Sequence, residues 1–251
     1  MNQILITKKL YVTPELKRKK KIYKFDFMIS IFLVLILISV CIYAEYDRNK
    51  SEHVSQEILT DLNTTIAETT ENMSETKSDI LVVVLNNAQE DVNVQELTSK
   101  KNEVPEKQKY TSNGYTYYSI ATISIPKINV NYPIIQGETG SEKETEELLK
   151  LAPCRFHGPE PNEVGNFCVV GHNYRNSKFF SKVPNLENGD TIDITDLTGR
   201  TITYSVYDKY IVSPDQIECT DQRTNGQKEI TLITCTYDSQ NRVIVKAREV
   251  K

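Results

Sequence analysis

EITLITCTYD, Glu229 to Asp238, is an apolar, β-branched run that ends in a cysteine between two threonines and then breaks into a polar turn. β-Branched side chains pack well on a pleated surface, so EITLITC reads as a strand. Cys235 then stands at a strand's end, as buried filler, half of a disulfide, a metal ligand or a nucleophile. Beyond it, DSQN (238–241) is a tight turn and RVIVKAREV (242–250) a last strand. Such a hairpin returns Arg242 to the side of Cys235.

Working upstream, the same period of two recurs. YTYYSIATISIPKINVNYPIIQGE (115–138) alternates β-branched and aromatic residues with polar ones, and Pro126 and Pro133 mark edges or turns within it. ETGSEKETEELLKLAP (138–153) is a turn and a short helix. NFCVVGHNY (166–174) is a buried strand running into Gly171, and DTIDITDLTGRTITYSVYDKYIV (190–212) gives two strands around a Leu197–Gly199 turn. Residues 213–228 form a polar loop. Seven or eight short strands with little helix make a closed barrel of about 140 residues.

The barrel accounts for only part of the chain of 251 residues, and a hydrophobic fraction of 39% is low for a chain folded throughout. The first 24 residues carry Lys8, Lys9, Lys17, Arg18, Lys19, Lys20, Lys21 and Lys24 against the single acid Glu15. FMISIFLVLILISVCIYA (27–44) follows without a charge, long enough to cross a bilayer as a helix. The basic flank predicts a cytoplasmic N-terminus and an exported remainder. IYAEYD after the run is a poor cleavage site, which favours an uncleaved anchor over a signal peptide. Residues 45–109 are then a polar, acidic stalk, largely disordered or partly helical, with ILVVVLNN (80–87) as one short element able to dock on the folded domain. The predicted organisation is a basic cytoplasmic segment (1–26), a transmembrane anchor (27–44), the stalk (45–109) and the barrel (110–251). A net charge of −4, with no basic stripe in the folded half, excludes nucleic acid as a partner.

Five cysteines, at 41, 154, 168, 219 and 235, include no CxxC pair and give neither a disulfide framework nor zinc-ligand spacing. Cys154, Cys168 and Cys219 read as packing residues. Of the three histidines, His53 lies in the stalk and His157 in the loop CRFHGPEP. His172 stands where a buried strand opens into a loop, the position Cys235 holds at the end of TLIT. A cysteine and a histidine so placed suit a nucleophile and its proton partner. Arg242 beside them can stabilise a thiolate or an oxyanion, since it stays charged at every relevant pH. A papain-type protease places cysteine before histidine, and here His172 comes first. A tethered barrel that binds cell-wall peptides without turnover, and a metal or redox protein using Cys168, His172 and Cys235, remain as alternatives.

With these residues in place, the chain resembles the sortases, membrane-anchored cysteine transpeptidases of Gram-positive surfaces. TLITC (231–235) matches the family's TLxTC, VVGHN (169–173) its strand-then-GH element, and Arg242 opens the strand after the cysteine hairpin. ISIPKINVNYPI (123–134), EVGNFCVVGH (163–172) and FFSKVPNLENGD (179–190) add to the match. The resemblance implies a mostly β fold, an eight-stranded sortase barrel with short helices behind one transmembrane helix and a stalk. It implies Cys235 as nucleophile, His172 as general acid and base, Arg242 as oxyanion and substrate stabiliser, and Thr234 as a substrate-binding neighbour. The implied substrates are proteins with LPxTG-like sorting signals, passed to an amine of a lipid-linked cell-wall precursor or of a pilin subunit. Arg248 and Lys246 share Arg242's face and stand in reserve, because the interval from Cys235 is short for several sortase classes. No cofactor is implied: the acids of GETGSEKETEELLK (137–150) resemble a calcium site of some class A members but read better as a solvated helix face. His172-Asn173 is class B-like, whereas the compact ending is closer to classes A and D.

Overall fold

The computed structural model describes residues 14–86 and 107–250. A helix, α1 (Pro14–Asn86), precedes nine strands: β1 (Lys109–Ser112), β2 (Tyr115–Ile125), β3 (Val130–Gly137), β4 (Cys154–His157), β5 (Gly165–Val170), β6 (Thr191–Asp196), β7 (Thr201–Val212), β8 (Lys228–Cys235) and β9 (Arg242–Glu249). A short helix, α2 (Glu142–Leu148), lies between β3 and β4. The sheet runs β2-β3-β4-β5-β8-β9-β7-β6, and β6 pairs back onto β2, so eight strands close into a barrel. β1 is an appendage on β2 through Asn113-Gly114, both at positive φ, as a two-residue hairpin turn demands. The expected eight-stranded barrel is therefore present. Its least legible strand is β4, four residues long and paired to β3 only through Ile135↔Cys154. That brief pairing leaves β3 unladdered on this side at Pro133, where a missing N–H costs nothing.

Side chains alternate across each strand. Phe167 and Val169 of β5, Ile230 and Leu232 of β8, and Val243, Val245 and Ala247 of β9 join one interior cluster with residues of β2, β3, β6 and β7. Their neighbours Cys168, Ile233 and Ile244 point the other way and form a second cluster with Cys219. The wall made by β5, β8 and β9 is thus apolar on both faces. Its outer face is covered by the loop after β7, which carries a single 3₁₀ turn at Glu218–Thr220.

The chain divides into two units at Lys50/Ser51. In the first, Phe27, Leu33, Leu37 and their neighbours are exposed along α1, which is long and apolar enough there to be a candidate membrane span. In the second, the stretch expected to be largely disordered or partly helical is helical to Asn86, and, beyond a solvated spacer, Ile58, Leu59 and Leu62 are buried. Ile58 packs with Tyr117, Ile135, Leu148, Leu149 and Cys154 on the outside of the barrel. Gln56 donates to the Asn131 carbonyl (3.4 Å), and Tyr132 donates to both Glu52 carboxylate oxygens (3.0 and 2.9 Å). The physical reason is periodicity. Val54, Ile58, Leu59, Leu62 and Ile66 recur at helical spacing, a narrow stripe that an average over a polar segment conceals. Residues 1–13 of the basic segment and 87–106 of the stalk lie outside the described residues.

Leu62→Ala in the full chain is expected to lower the barrel's unfolding free energy by about 2–5 kcal/mol, read from its urea midpoint. An unchanged midpoint would mean that α1 is not docked in solution.

Candidate active site

β5 and β8 run parallel, in register from Gly165↔Lys228 to Val170↔Ile233. β5 then ends while β8 runs on to Cys235, and the bonds between the two segments continue. Gly171 N–H donates to the Ile233 carbonyl (3.0 Å), the Thr234 hydroxyl to the Gly171 carbonyl (2.8 Å), and the Asn173 amide to the Cys235 carbonyl (2.9 Å). His172 is therefore clamped to β8 by the residues on either side of it. Counting outward by two from Val170 and Ile233 places His172 and Cys235 on the same outer face.

Gly171 admits no side chain, because a Cβ there would lie 2.5 Å from ring carbons of the fully buried Phe180. That ring fixes the return of the loop after His172. Phe180 N–H donates to the His172 carbonyl (3.1 Å), Asn173 and Phe179 form an isolated bridge, and Tyr174 N–H donates to Ser181 Oγ (3.0 Å). The Tyr174 ring stands 5.1 Å from the imidazole, at 48° to it. Burial, aided by the positive charge of Lys150, holds the His172 pKa below its ordinary value of 6.5.

On the other side of Cys235, β8 and β9 pair antiparallel, and Cys235↔Arg242 is the last pair of the ladder. Directly opposed residues on one face bring their Cβ atoms to about 5 Å. The hairpin loop is tied by Thr236 N–H to the Asn241 carbonyl (3.0 Å) and Gln240 N–H to Asp238 Oδ1 (3.1 Å), with Ser239 at φ 64°. The two reserve cations are engaged elsewhere. Arg248 binds Glu229 Oε1 (Nη2 2.8 Å) and lies over the Tyr207 ring, and Lys246 approaches Glu229 at 3.9 Å. Both belong to the far end of β9.

His172, Cys235 and Arg242 line one cleft of about 1000 Å³, together with Leu149, β4 and the loop after β7. Thr234 borders the same cleft, but its side chain is buried with its hydroxyl committed to Gly171. Its side chain is thus a strut between β8 and the histidine loop. His157, at the end of β4, is exposed along the cleft. Sequence reasoning missed the two exposed apolar residues on the rim, Phe156 and Ile217, and Arg155, held by Gln136 (3.0 Å) and Glu160 (2.8 Å). An unburied phenylalanine in CRFH and an unburied isoleucine in a polar loop were the available signals.

The remaining cysteines are free and, outside α1, buried. Burial pushes the Cys168 thiol up to about 12, and Cys154 and Cys219 move in the same direction for the same reason. Among the described residues no three His, Cys, Asp or Glu side chains are grouped to hold a metal ion. Glu144, one of the acids of α2, is not on a solvated face. Its carboxylate accepts from Thr139 N–H (3.0 Å), Gly140 N–H (2.7 Å) and the Thr139 hydroxyl (2.8 Å), while Ser141 caps Glu144 N–H in return.

The sortase-domain family model matches residues 123–250, just over half of the chain. No curated protein matches. Among solved structures, a Clostridium perfringens sortase D5 transpeptidase is 32% identical over 53% of this chain and 79% of its own, with a TM-score of 0.46. Sortase C-1 from Actinomyces oris is 27% identical over 52% and 73%, with a TM-score of 0.45. A lid mutant of sortase A from Corynebacterium diphtheriae is 27% identical over 53% and 70%, also with a TM-score of 0.45. The matched span runs from β2 to the end of β9 and takes in the whole cleft-bearing wall, and on that match the chain belongs to the sortase family of cysteine transpeptidases.

Proposed function

We propose that Cys235 is the nucleophile, His172 the proton carrier and Arg242 the oxyanion partner of a transpeptidase that cleaves LPxTG-like sorting signals. The observation that carries this reading is the shared face. The last cross-strand pair of β8 and β9 sets Arg242 opposite Cys235, and His172, just past the parallel neighbour β5, lines the same cleft. The exposed side chains of Phe156 and Ile217 offer apolar walls to an extended peptide.

A neutral His172 accepts the Cys235 proton as sulfur attacks the carbonyl carbon before the scissile bond. Arg242 stabilises the negative charge that develops on oxygen. The C–N bond breaks, the imidazolium gives its proton to the departing amine, and a thioacyl enzyme remains. An incoming amine, from a lipid-linked cell-wall precursor or a pilin subunit, attacks that carbonyl. Its proton passes through His172, the C–S bond breaks, and the thiol re-forms with the protein on a new amide. The candidate span, with its basic N-terminal flank, supports a single-pass anchor with the barrel outside the cell. Enzyme, substrate and acceptor then share one membrane plane, which raises their effective concentrations.

Incubation of the full chain with a library of sorting peptides should give an intact-mass adduct at Cys235 that disappears in Cys235→Ala. An adduct that survives the substitution would refute the nucleophile, and a bound but uncleaved peptide would favour the binding-module alternative. Arg242→Ala should cost about 10²–10³ in kcat. Arg248→Ala should cost stability instead, through Glu229, and the reverse pattern would exchange the two arginines. Because burial disfavours the charged imidazole, His172 takes up its proton only below the ordinary range. The acid limb of kcat/KM is therefore expected to have its midpoint below pH 6.5. A midpoint above that value would contradict the environment described for His172.

A further inference from the structure

We propose that the docked part of α1 positions His172 for the reaction, with Glu52 acting through the Tyr132 hydroxyl and the Phe179 backbone. The inference rests on His172 serving the transpeptidation proposed above.

Four links carry it. The Glu52 carboxylate accepts the Tyr132 hydroxyl proton at 3.0 and 2.9 Å. The same hydroxyl oxygen accepts the Phe179 N–H at 3.2 Å, and the two rings stack at 4.9 Å with 8° between their planes. Phe179 bridges to Asn173, next to the histidine. Phe180 N–H then reaches the His172 carbonyl, and its ring occupies the space that Gly171 leaves open. The residues on either side of His172, and its own carbonyl, are therefore fixed by one dipeptide that hangs on Tyr132.

That dipeptide is not in a resting conformation. Phe179 has φ 48°, in the left-handed region that a bulky side chain enters only when its surroundings over-determine it. It is also almost wholly buried, so an N–H without an acceptor there would be costly. Tyr132 supplies both the acceptor and the stacking surface. Tyr132 is itself buried, and its hydroxyl proton finds its acceptor in α1, a helix none of whose described residues lines the cleft. Glu52 lies in the same unit as the barrel and is reached by no other strand-borne donor among the bonds described. Without the carboxylate, the hydroxyl can turn its proton toward Phe179 and lose the bond that holds the loop. Glu52 and Tyr132 are positioning residues, and neither touches substrate.

The test uses the full chain and separates position from stability. Tyr132→Phe keeps the stacked ring and removes the hydroxyl, which is both the acceptor for Phe179 N–H and the donor to Glu52. It should lower kcat about tenfold with KM unchanged, since small displacements of a catalytic group cost rate before binding. The His172 ring resonances should shift while the chain remains folded, with its unfolding temperature lowered by the unpaired Phe179 N–H. Glu52→Ala should reproduce the loss, and Glu52→Gln, whose amide oxygen can still accept the hydroxyl, should restore the rate. Combining Glu52→Ala with Tyr132→Phe should cost no more than Tyr132→Phe alone, because both cut one chain of contacts. Wild-type kcat and unmoved His172 resonances in folded Tyr132→Phe would overturn the inference. So would a Glu52→Gln variant as slow as Glu52→Ala. A wild-type chain that forms no adduct at Cys235 would instead overturn the function on which the inference rests.

Discussion

Parallel pairing of β5 with β8 is the constraint from which the site follows. Six successive residue pairs, Gly165↔Lys228 to Val170↔Ile233, bring the end of β5 level with Ile233, two residues before Cys235. The side-chain period of two then sends the next outward residues, His172 and Cys235, to one face. A shift of that register by one residue would turn every one of these side chains to the opposite face, emptying the cleft and the barrel interior together. Core and site are therefore specified by the same hydrogen bonds. Phe167, Val169, Ile230 and Leu232 hold the register from inside, and Cys168, Ile233 and Ile244 hold it from outside.

The surrounding polar structure serves that alignment. Thr234 and Asn173 stitch the strand ends after the ladder stops, and the hairpin loop between β8 and β9 closes tightly enough to return Arg242 opposite Cys235. Glu229 gathers Lys246 and Arg248 at the far end of β9, whereas Arg242 is the cross-strand partner of Cys235 and lines the cleft with it. Burial holds the His172 pKa below its ordinary value and so favours the neutral imidazole, the state that can take a proton from a thiol. In the proposed mechanism these separate facts become one sequence of proton transfers across a single cleft.

What the sequence disclosed depended on how local each feature is. TLITC, DSQN and RVIVKAREV are contiguous, so strand, turn and strand could be read directly, and the opposition of Cys235 and Arg242 came with them. The adjacency of β5 and β8 is not local. The strands are some sixty residues apart in the chain, and only the resemblance of VVGHN and TLITC to a known family implied that they meet. Thr234 shows the limit of adjacency along the chain. It neighbours the cysteine in sequence, yet alternation turns it inward, a result that counting by two from Cys235 would have given. β4 was hidden by its brevity. The docked stretch of α1 was hidden because its apolar residues, from Val54 to Ile66, are diluted in a segment whose average is polar.

The alignment of the two strand ends can be tested by proximity. A His172→Cys variant of the full chain, treated with a short bifunctional thiol reagent and mapped by peptide mass spectrometry, should yield an intramolecular link between positions 172 and 235. Free alkylation at both positions with no link between them would show that the two side chains do not share a cleft, and would contradict the account at its root.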